Sequence, residues 1–514
     1  MLTAPETEMN LFRNNPFVAF SASFPTGMVP FNIMQRILRS SPKNHPDQRA
    51  VFAPYGLRKL EAILVDHGFK ESDIAVVHPS KLDKFVGSNT KVVGISSMDP
   101  TGIAYVSLTY SQLIGWGSEP NTRLEFRKLL KKKCLKAKKA KIIVGGTGAW
   151  QLENEKIRKT FGIDCVFLGE AEKTAPVLFS KAVNGENLPP IVHGEETEPK
   201  EIPTIRHASI HGCVEISRGC NRNCQFCSPT TRKRRFIPIS RILEEVEVNV
   251  REGNRMIIFG TEDFFLYDSE PNFIPKRKAV VELCRKVADC PGVQYIQPAH
   301  MSLAPVVVDP KMVNEVAEIL LEKSWDTLDG KPFFTSETGI ETGSKRLIRK
   351  YMAGKPLPFK PEDWPDIVTQ SFGILNDNFG YPLATWIVGL PDENEEDVLA
   401  SIELVEELKG TKGFFVPLFF VPLGESTLKK AKGANSKSLS ELHWEFFAEC
   451  WKYNLNVWRK PWALRGMRSL LSRILVPMTG GFLYLSYYKH KPSAKFFKQT
   501  FTKASKVDLL TARG

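Results

Sequence analysis

Val214-Glu-Ile-Ser-Arg-Gly-Cys220-Asn-Arg-Asn-Cys224-Gln-Phe-Cys227 is the stretch around which the chain is organised. Three cysteines spaced C-x3-C-x2-C follow a short β-type run, Cys213 to Ser217, and a glycine, Gly219. That order places three thiols on one tight loop at the end of a strand. Three thiolates on one loop can hold three irons of a [4Fe–4S] cluster and leave the fourth iron open to a substrate or cofactor. A structural zinc site asks for four ligands in paired spacing. The next cysteines, Cys284 and Cys290, supply no C-x2-C partner. Cys220, Cys224 and Cys227 are therefore the candidate metal ligands.

Outward from this loop, six strand candidates lie at 213–217, 255–259, 293–298, 333–339, 382–388 and 413–420, with helical runs between them. Six βα units over 206–425 predict a partial (β/α)6 barrel, whose chemistry is built at the C-terminal ends of its strands. Three motifs sit at such ends: Gly260-Thr261-Glu262-Asp263, Gly339-Ile-Glu-Thr-Gly-Ser344 and Val388-Gly-Leu-Pro-Asp-Glu-Asn-Glu-Glu-Asp397. The first also reads as a helix N-cap pair.

With Phe226 in the aromatic place before the third cysteine, these motifs resemble the radical S-adenosylmethionine (SAM) superfamily, whose cluster loop is C-x3-C-x-aromatic-C. The resemblance implies a [4Fe–4S] cluster and SAM as cofactors. Glu262 or Asp263, beside Gly260 and Thr261, would accept the SAM ammonium where the superfamily has G-G-E. Glu341, with Thr342 and Ser344, matches the ribose segment, Ser344 also capping the next helix. Gly389 and Pro391 would border the adenine, and Asp392 stands where the superfamily has glycine. The implied chemistry is one-electron cleavage of SAM, fed by a reducing electron donor, to a 5′-deoxyadenosyl radical that takes hydrogen from an unactivated carbon. A non-catalytic Fe–S protein is the alternative from a different class, and the SAM motifs argue against it.

Before the barrel, residues 1–50 read as an irregular extension and 51–181 as a Rossmann-like domain. Tyr55 to Gly68 has helical apolar spacing closed by glycine, strand-like runs follow at Ile74–Val77, Val92–Ser96 and Lys141–Val144, and a basic helix is predicted around Thr122 to Lys139. Strands alternating with helices indicate a parallel α/β sheet. Glycines at Gly94-Ile-Ser-Ser-Met98 and Val144-Gly-Gly-Thr-Gly148 permit close backbone approach to a nucleotide or corrin, and equally make tight turns. Gly145, Gly146 and Gly148, followed by Asp164 and Leu168-Gly-Glu-Ala-Glu172, resemble the cobalamin-binding domain that precedes many radical SAM modules; the lower-ligand motif D-x-H-x-x-G is absent. Cobalamin is thus a candidate cofactor without a histidine ligand. Residues 182–205, rich in proline and glutamate, read as a linker.

At 514 residues the chain has length for two or three domains, and its nine scattered cysteines fit a reducing cytoplasm rather than a disulfide framework. No signal-peptide pattern and no 18-residue uncharged apolar run is present. The net charge of +13 is concentrated at the end: residues 451–514 carry thirteen Lys/Arg against one acid, Asp508. Ten Lys/Arg between Arg123 and Lys141, and the run Thr230 to Arg235, are further basic stretches that also suit solvated faces. In the predicted helical C-terminal region, 426–514, the fifteen-residue aromatic run Ile474 to Tyr488 is flanked by arginines and lysines. Such a segment suits the interface of an anionic membrane, a helical cap, or RNA. The expected function is a radical SAM enzyme, a methyltransferase or C–C bond-forming synthase, acting on a lipid or other hydrophobic substrate, cytoplasmic or peripheral at the inner membrane face. RNA modification is the alternative.

Overall fold

The computed structural model describes residues 1–27, 36, 38–113, 118–136, 140–229 and 232–458. The chain divides into two compact units. Among the described residues, one comprises Met1–Val214 with Ser240–Asn254, the other Glu215–Ile239 with Arg255–Trp458.

The first unit is built on five parallel strands in the order β1 (Leu2–Thr3), β2 (Val92–Ser96), β3 (Lys141–Gly145), β4 (Cys165–Leu168) and β5 (Ile191–His193). Side chains alternate between two cores. Val92, Ile143, Cys165 and Phe167 face one, shared with the helices Tyr55–Asp66 and Ala175–Val183. Val93, Ile95, Ile142, Val144, Val166 and Leu168 face the other, shared with Phe126 and Leu129 of the helix Asn121–Leu130. A parallel sheet covered on both faces needs apolar residues at every position, which is why these strands read as continuous apolar runs.

Four expectations are corrected here. The N-terminus is not irregular throughout: Leu2–Thr3 pairs with β2, Leu2 opposite Gly94. The residues Ile74–Val77 form only a single bridge, Val76 to Leu2, on the side of β1 away from β2. The proline-rich segment 182–205 supplies β5, which pairs with β4. The basic helix ends at Leu130, and Lys133–Lys136 is a separate turn of helix.

In the second unit, β6 (Cys213–Glu215) leads into the cysteine loop, whose ends are clamped as β7 (Ser217–Arg218) against β8 (Arg235–Phe236). The strands β9 (Met256–Gly260) and β10 (Tyr295–Pro298) complete a sheet of order β10-β9-β6. An antiparallel hairpin, β11 (Asp326–Leu328) and β12 (Lys331–Phe333), intervenes; its turn is Asp329-Gly330, both with positive φ. This Asp-Gly turn delays the fourth barrel strand, expected from 333, to β13 (Glu337–Glu341). The strands β14 (Leu383–Val388) and β15 (Phe414–Phe419) pair parallel beyond it. A parallel bridge between His300 and Glu337 joins β10 to β13. The resulting sequential arc of six strands is the partial barrel. Glu441–Trp458 forms the first helix of the C-terminal region, burying Trp444 and Phe447 against Phe419. The aromatic and basic tail beyond 458, with the membrane-surface expectation placed on it, lies outside the described residues, as do Thr230 and Thr231. Among the described residues no helix is long and apolar enough to cross a membrane.

Candidate functional site

The loop carrying the three cysteines is shaped by backbone constraints rather than by apolar burial. Gly219 has φ +73°, and a Cβ there would stand 2.3 Å from the carbonyl oxygen of Lys233 on the returning strand. Asn221 and Asn223 also lie in the left-handed region, at φ 63° and 60°. The loop is held from within by Cys220 N donating to Pro229 O (3.3 Å) and Cys227 N to Cys224 O (3.1 Å). From outside, Gln225 N donates to Tyr351 O at 2.8 Å.

Arg222, buried between two of the cysteines, anchors the loop more extensively. Its Nη1 donates to the carbonyls of Gly354, Lys355 and Leu357 at 3.2, 2.8 and 3.2 Å. Its Nη2 reaches Asp263 Oδ2 (3.2 Å) and Ser302 Oγ (3.0 Å), and the guanidinium lies 4.7 Å over the Phe273 ring. The sequence carries no sign of this role, since the cysteine spacing leaves the residues between the cysteines unspecified.

Burial pushes the Cys224 thiol up to about 12, with Lys355 and Arg222 opposing it. Burial likewise raises Cys220, with Arg222 opposing. Thiols so placed ionise only against a nearby cation, which bound iron provides. Single-ion spacing is not what the loop offers. Among the described residues the one group of three ligands with donor atoms within 4.8 Å of one another lies elsewhere, at His45, His207 and Glu252. A four-iron cube holds its cysteine sulfurs farther apart than one ion does, an arrangement that three thiols on one short loop can supply.

At the end of β9 the two acids left open by the sequence are separated by their surroundings. Asp263 is buried and committed: besides Arg222, its carboxylate accepts from Ser302 N (3.2 Å) and Ser302 Oγ, and its own N donates to Thr261 Oγ1 (3.1 Å). Thr261 Oγ1 also meets Ser217 Oγ at 2.6 Å. Glu262 is solvent-exposed and has no hydrogen-bond or ion-pair partner among the described residues. Surrounding protein raises its pKa nonetheless, with His300 and Arg232 working the other way. His300 stands beside Glu262, its Nε2 3.0 Å from Glu337 Oε2. Desolvation works against the imidazolium, but Glu337 and Glu262 outweigh it and raise the pKa to about 9.

The end of β13 carries a bulge between Gly339 and Glu341, and Glu341 has φ 68°. Its buried carboxylate folds back over Gly339 and accepts from Lys355 Nζ at 3.0 Å. Thr342 and Ser344 are turned to loop construction. Thr342 Oγ1 meets Ser401 Oγ (3.2 Å) and accepts from Ser344 N (3.1 Å). Ser344 Oγ donates to Asp397 (2.5 Å) and accepts from Leu347 N (3.2 Å) as the helix cap. At the end of β14, Gly389 N donates to Glu393 Oε2 at 2.6 Å, where His443 Nε2 also stands at 2.9 Å. Pro391 is half-buried in the same turn. Asp392 takes φ 56°, a conformation that suits glycine, and is held by Lys350 Nζ (2.7 Å) and Tyr351 Oη (3.1 Å).

In the first unit the glycines at the end of β3 serve the chain itself. A Cβ on Gly146 would lie 2.7 Å from Ser97 O, and one on Gly148 2.3 Å from Met98 O. Gly148 N donates to Ser97 O (3.0 Å), and Ser97 N to Gly145 O (2.9 Å). Glu8 closes the loop from the other side, accepting from Ser97 Oγ (3.0 Å) and Met98 N (2.9 Å). The close approach that Gly146 and Gly148 permit is therefore taken up by backbone, and only Gly145 keeps ordinary clearance, 3.6 Å from Phe167 O.

The radical SAM superfamily model matches residues 214–405, which hold the cysteine loop and all three strand-end motifs. That stretch of the chain is a radical SAM domain. Among curated relatives it resembles tRNA-2-methylthio-N(6)-dimethylallyladenosine synthases. That of Corynebacterium efficiens is 25% identical over 279 residues, covering 53% of this chain and 50% of the relative. That of Thermotoga petrophila is 25% identical over 300 residues, covering 56% and 60%. The chain thus spans about half the length of these relatives. Among solved structures it resembles the radical SAM methyltransferase TsrM of Kitasatospora setae with cobalamin and [4Fe–4S] cluster bound. That likeness has a TM-score of 0.52 at 16% identity, over 73% of this chain and 71% of that one. A second TsrM structure, with tryptophan and a SAM analogue, matches with the same TM-score over 74% and 73%. At such identity the likeness is one of fold: a radical SAM barrel with a cobalamin-binding-type domain.

Proposed function

We propose that this protein is a radical SAM enzyme in which Cys220, Cys224 and Cys227 hold a [4Fe–4S] cluster and Glu262 receives the SAM ammonium. The observation that carries this reading is the contrast at the end of β9. Asp263 is consumed by Arg222 and Ser302, while Glu262 beside it is exposed and has no hydrogen-bond or ion-pair partner among the described residues. The bound cluster and SAM would supply one-electron cleavage to a carbon-centred radical. The chain's own contribution is positional. Arg222 fixes the cysteine loop to the turn at 354–357 and to the end of β9. Glu341 is the carboxylate for the ribose hydroxyls, held ready by Lys355. Glu393, fixed by His443, holds the turn at Gly389 and Pro391 that borders the adenine. Thr342 and Ser344 support this pocket through the helix cap instead of touching SAM.

The substrate we infer is hydrophobic and presented at an anionic membrane surface, a reading supported by the aromatic run Ile474 to Tyr488 between clusters of Arg and Lys. RNA modification is a second reading, favoured by the named activity of the curated relatives. Against it, residues 1–205 hold only two cysteines, too few for another cluster: Cys165 is buried in β4, Cys134 lies on a short helix, and burial raises both thiols to about 11. Cobalamin is the third cofactor of this reading, supported by the likeness to TsrM and by Gly145. The deciding experiment is anaerobic reconstitution with iron, sulfide, SAM and hydroxocobalamin, followed by a 5′-deoxyadenosine assay with anionic liposomes or bulk tRNA. Stimulation by liposomes supports the hydrophobic substrate and stimulation by tRNA replaces it. A reconstituted cluster that never cleaves SAM under strong reductant overturns the enzyme.

A further inference from the structure

The geometry points to a second metal site, in the first unit, formed by His45, His207 and Glu252 and suited to a divalent ion of the zinc class. One donor atom from each of these half-buried residues lies within 4.8 Å of the others. His207 Nδ1 is 2.8 Å from Glu252 Oε1, and the rings of His45 and His207 meet edge-on with centroids 5.8 Å apart. A histidine–glutamate pair alone accounts for His207 and Glu252. It leaves His45 unexplained, because His45 Nε2 is buried with no hydrogen-bond partner among the described residues. An ion bound by the three gives that ring a ligand role and replaces a two-residue pair by a closed donor set. Two imidazoles and one carboxylate suit zinc, ferrous iron or cobalt, with a position left for water.

The surroundings are arranged as a support for such a site. Glu71 Oε1 lies 3.7 Å from His207 Nε2, the nitrogen turned away from Glu252, where carboxylates commonly orient a metal-bound histidine. Glu252 Oε2 is fixed by Ala208 N at 2.8 Å, leaving Oε1 as the ligand atom. The buried Arg58 ties together the segments that carry the two histidines. Its Nη2 donates to Ala50 O (2.7 Å) and Val51 O (3.0 Å), its Nε donates to Ala208 O (3.0 Å), and Glu61 balances its charge at 2.9 Å. A parallel bridge between Ala53 and Ser209 holds the same two segments in register. The three ligands come from a loop, a connecting segment and the residue just after the helix Ile239–Arg251, so a bound ion cross-links parts of the chain far apart in sequence.

The test uses the full chain, stripped with chelator and dialysed against Zn²⁺, with metal content measured separately from iron. A variant with Cys220, Cys224 and Cys227 all changed to Ala removes the cluster site. Wild type and this cysteine variant should each retain about one equivalent of zinc, and His45→Ala, a loop substitution, should lose it. Glu252→Gln should weaken binding at least about tenfold while keeping the contact to Ala208 N. In the cysteine variant, Co²⁺ should give visible d–d bands that the additional change His45→Ala abolishes. Zinc kept by His45→Ala and lost by the cysteine variant would place the ion on the thiols and overturn the proposal. So would a wild-type chain that takes up no zinc.

Discussion

Glu262 and Asp263 are adjacent carboxylates with opposite structural situations, and neutralising each in turn separates binding from stability. Asp263→Asn removes the charge facing Arg222, whose side chain and that of Asp263 are only 4% and 5% exposed. Leaving a guanidinium buried without its counter-charge costs about 3–5 kcal/mol. The three carbonyls at 354, 355 and 357 keep Arg222 in place, so the loss falls on stability and on the rigidity of the cysteine loop. Glu262→Gln breaks no hydrogen bond or ion pair among the described residues and should leave the unfolding midpoint nearly unchanged. It removes one charge-assisted hydrogen bond to the SAM ammonium, about 1.5–3 kcal/mol, which is about 10- to 150-fold in Kd. The assay is SAM titration of the anaerobically reconstituted protein by calorimetry, paired with denaturant unfolding of the same samples. If Asp263→Asn weakened SAM binding with unchanged stability while Glu262→Gln did nothing, the assignment of the two acids would be wrong.

Replacing any one of Cys220, Cys224 and Cys227 with Ala should abolish the cluster absorbance and SAM cleavage together, and a variant retaining both would remove that residue from the ligand set. Lys355→Met leaves Glu341 buried and unpaired; iron content and SAM affinity should both fall, with a loss of about 3–5 kcal/mol in unfolding free energy. The His300–Glu337 pair raises the histidine pKa from 6.5 to about 9 on folding. Its contribution is therefore complete below pH 6.5 and lost as pH rises through 9. Because 47% of the His300 side chain is open to solvent the slope is shallow, and His300→Gln should flatten it in unfolding measured from pH 6 to 10. Gly148→Ala forces a Cβ to within 2.3 Å of Met98 O and should destabilise the first unit by about 1–3 kcal/mol, with iron content per folded protein unchanged.

The barrel strands and the cysteine loop were legible because each rests on local pattern. Apolar runs mark strands buried on both faces, and three thiols within eight residues can meet only on one loop. Glu341 and the turn at Gly389 were legible for the same reason, as short motifs at strand ends. Arg222, Lys355 and His300 were not. Arg222 acts through residues 41 to 135 positions away, Lys355 through Glu341, and His300 through a bridge between two strands. Lone basic residues carry no periodicity that foretells such partners.

By itself, the sequence determined the candidate cluster loop and the order of the elements, since cysteine spacing, glycine turns and apolar periodicity act over a few residues. Tertiary structure alone decided which of two neighbouring acids is free. It also turned Thr342, Ser344, Gly146 and Gly148 towards construction of the fold, and it brought His45, His207 and Glu252 together from three distant segments. Burial, desolvation and hydrogen-bond commitment belong to the space around a residue, and that space is filled by parts of the chain far from it in sequence.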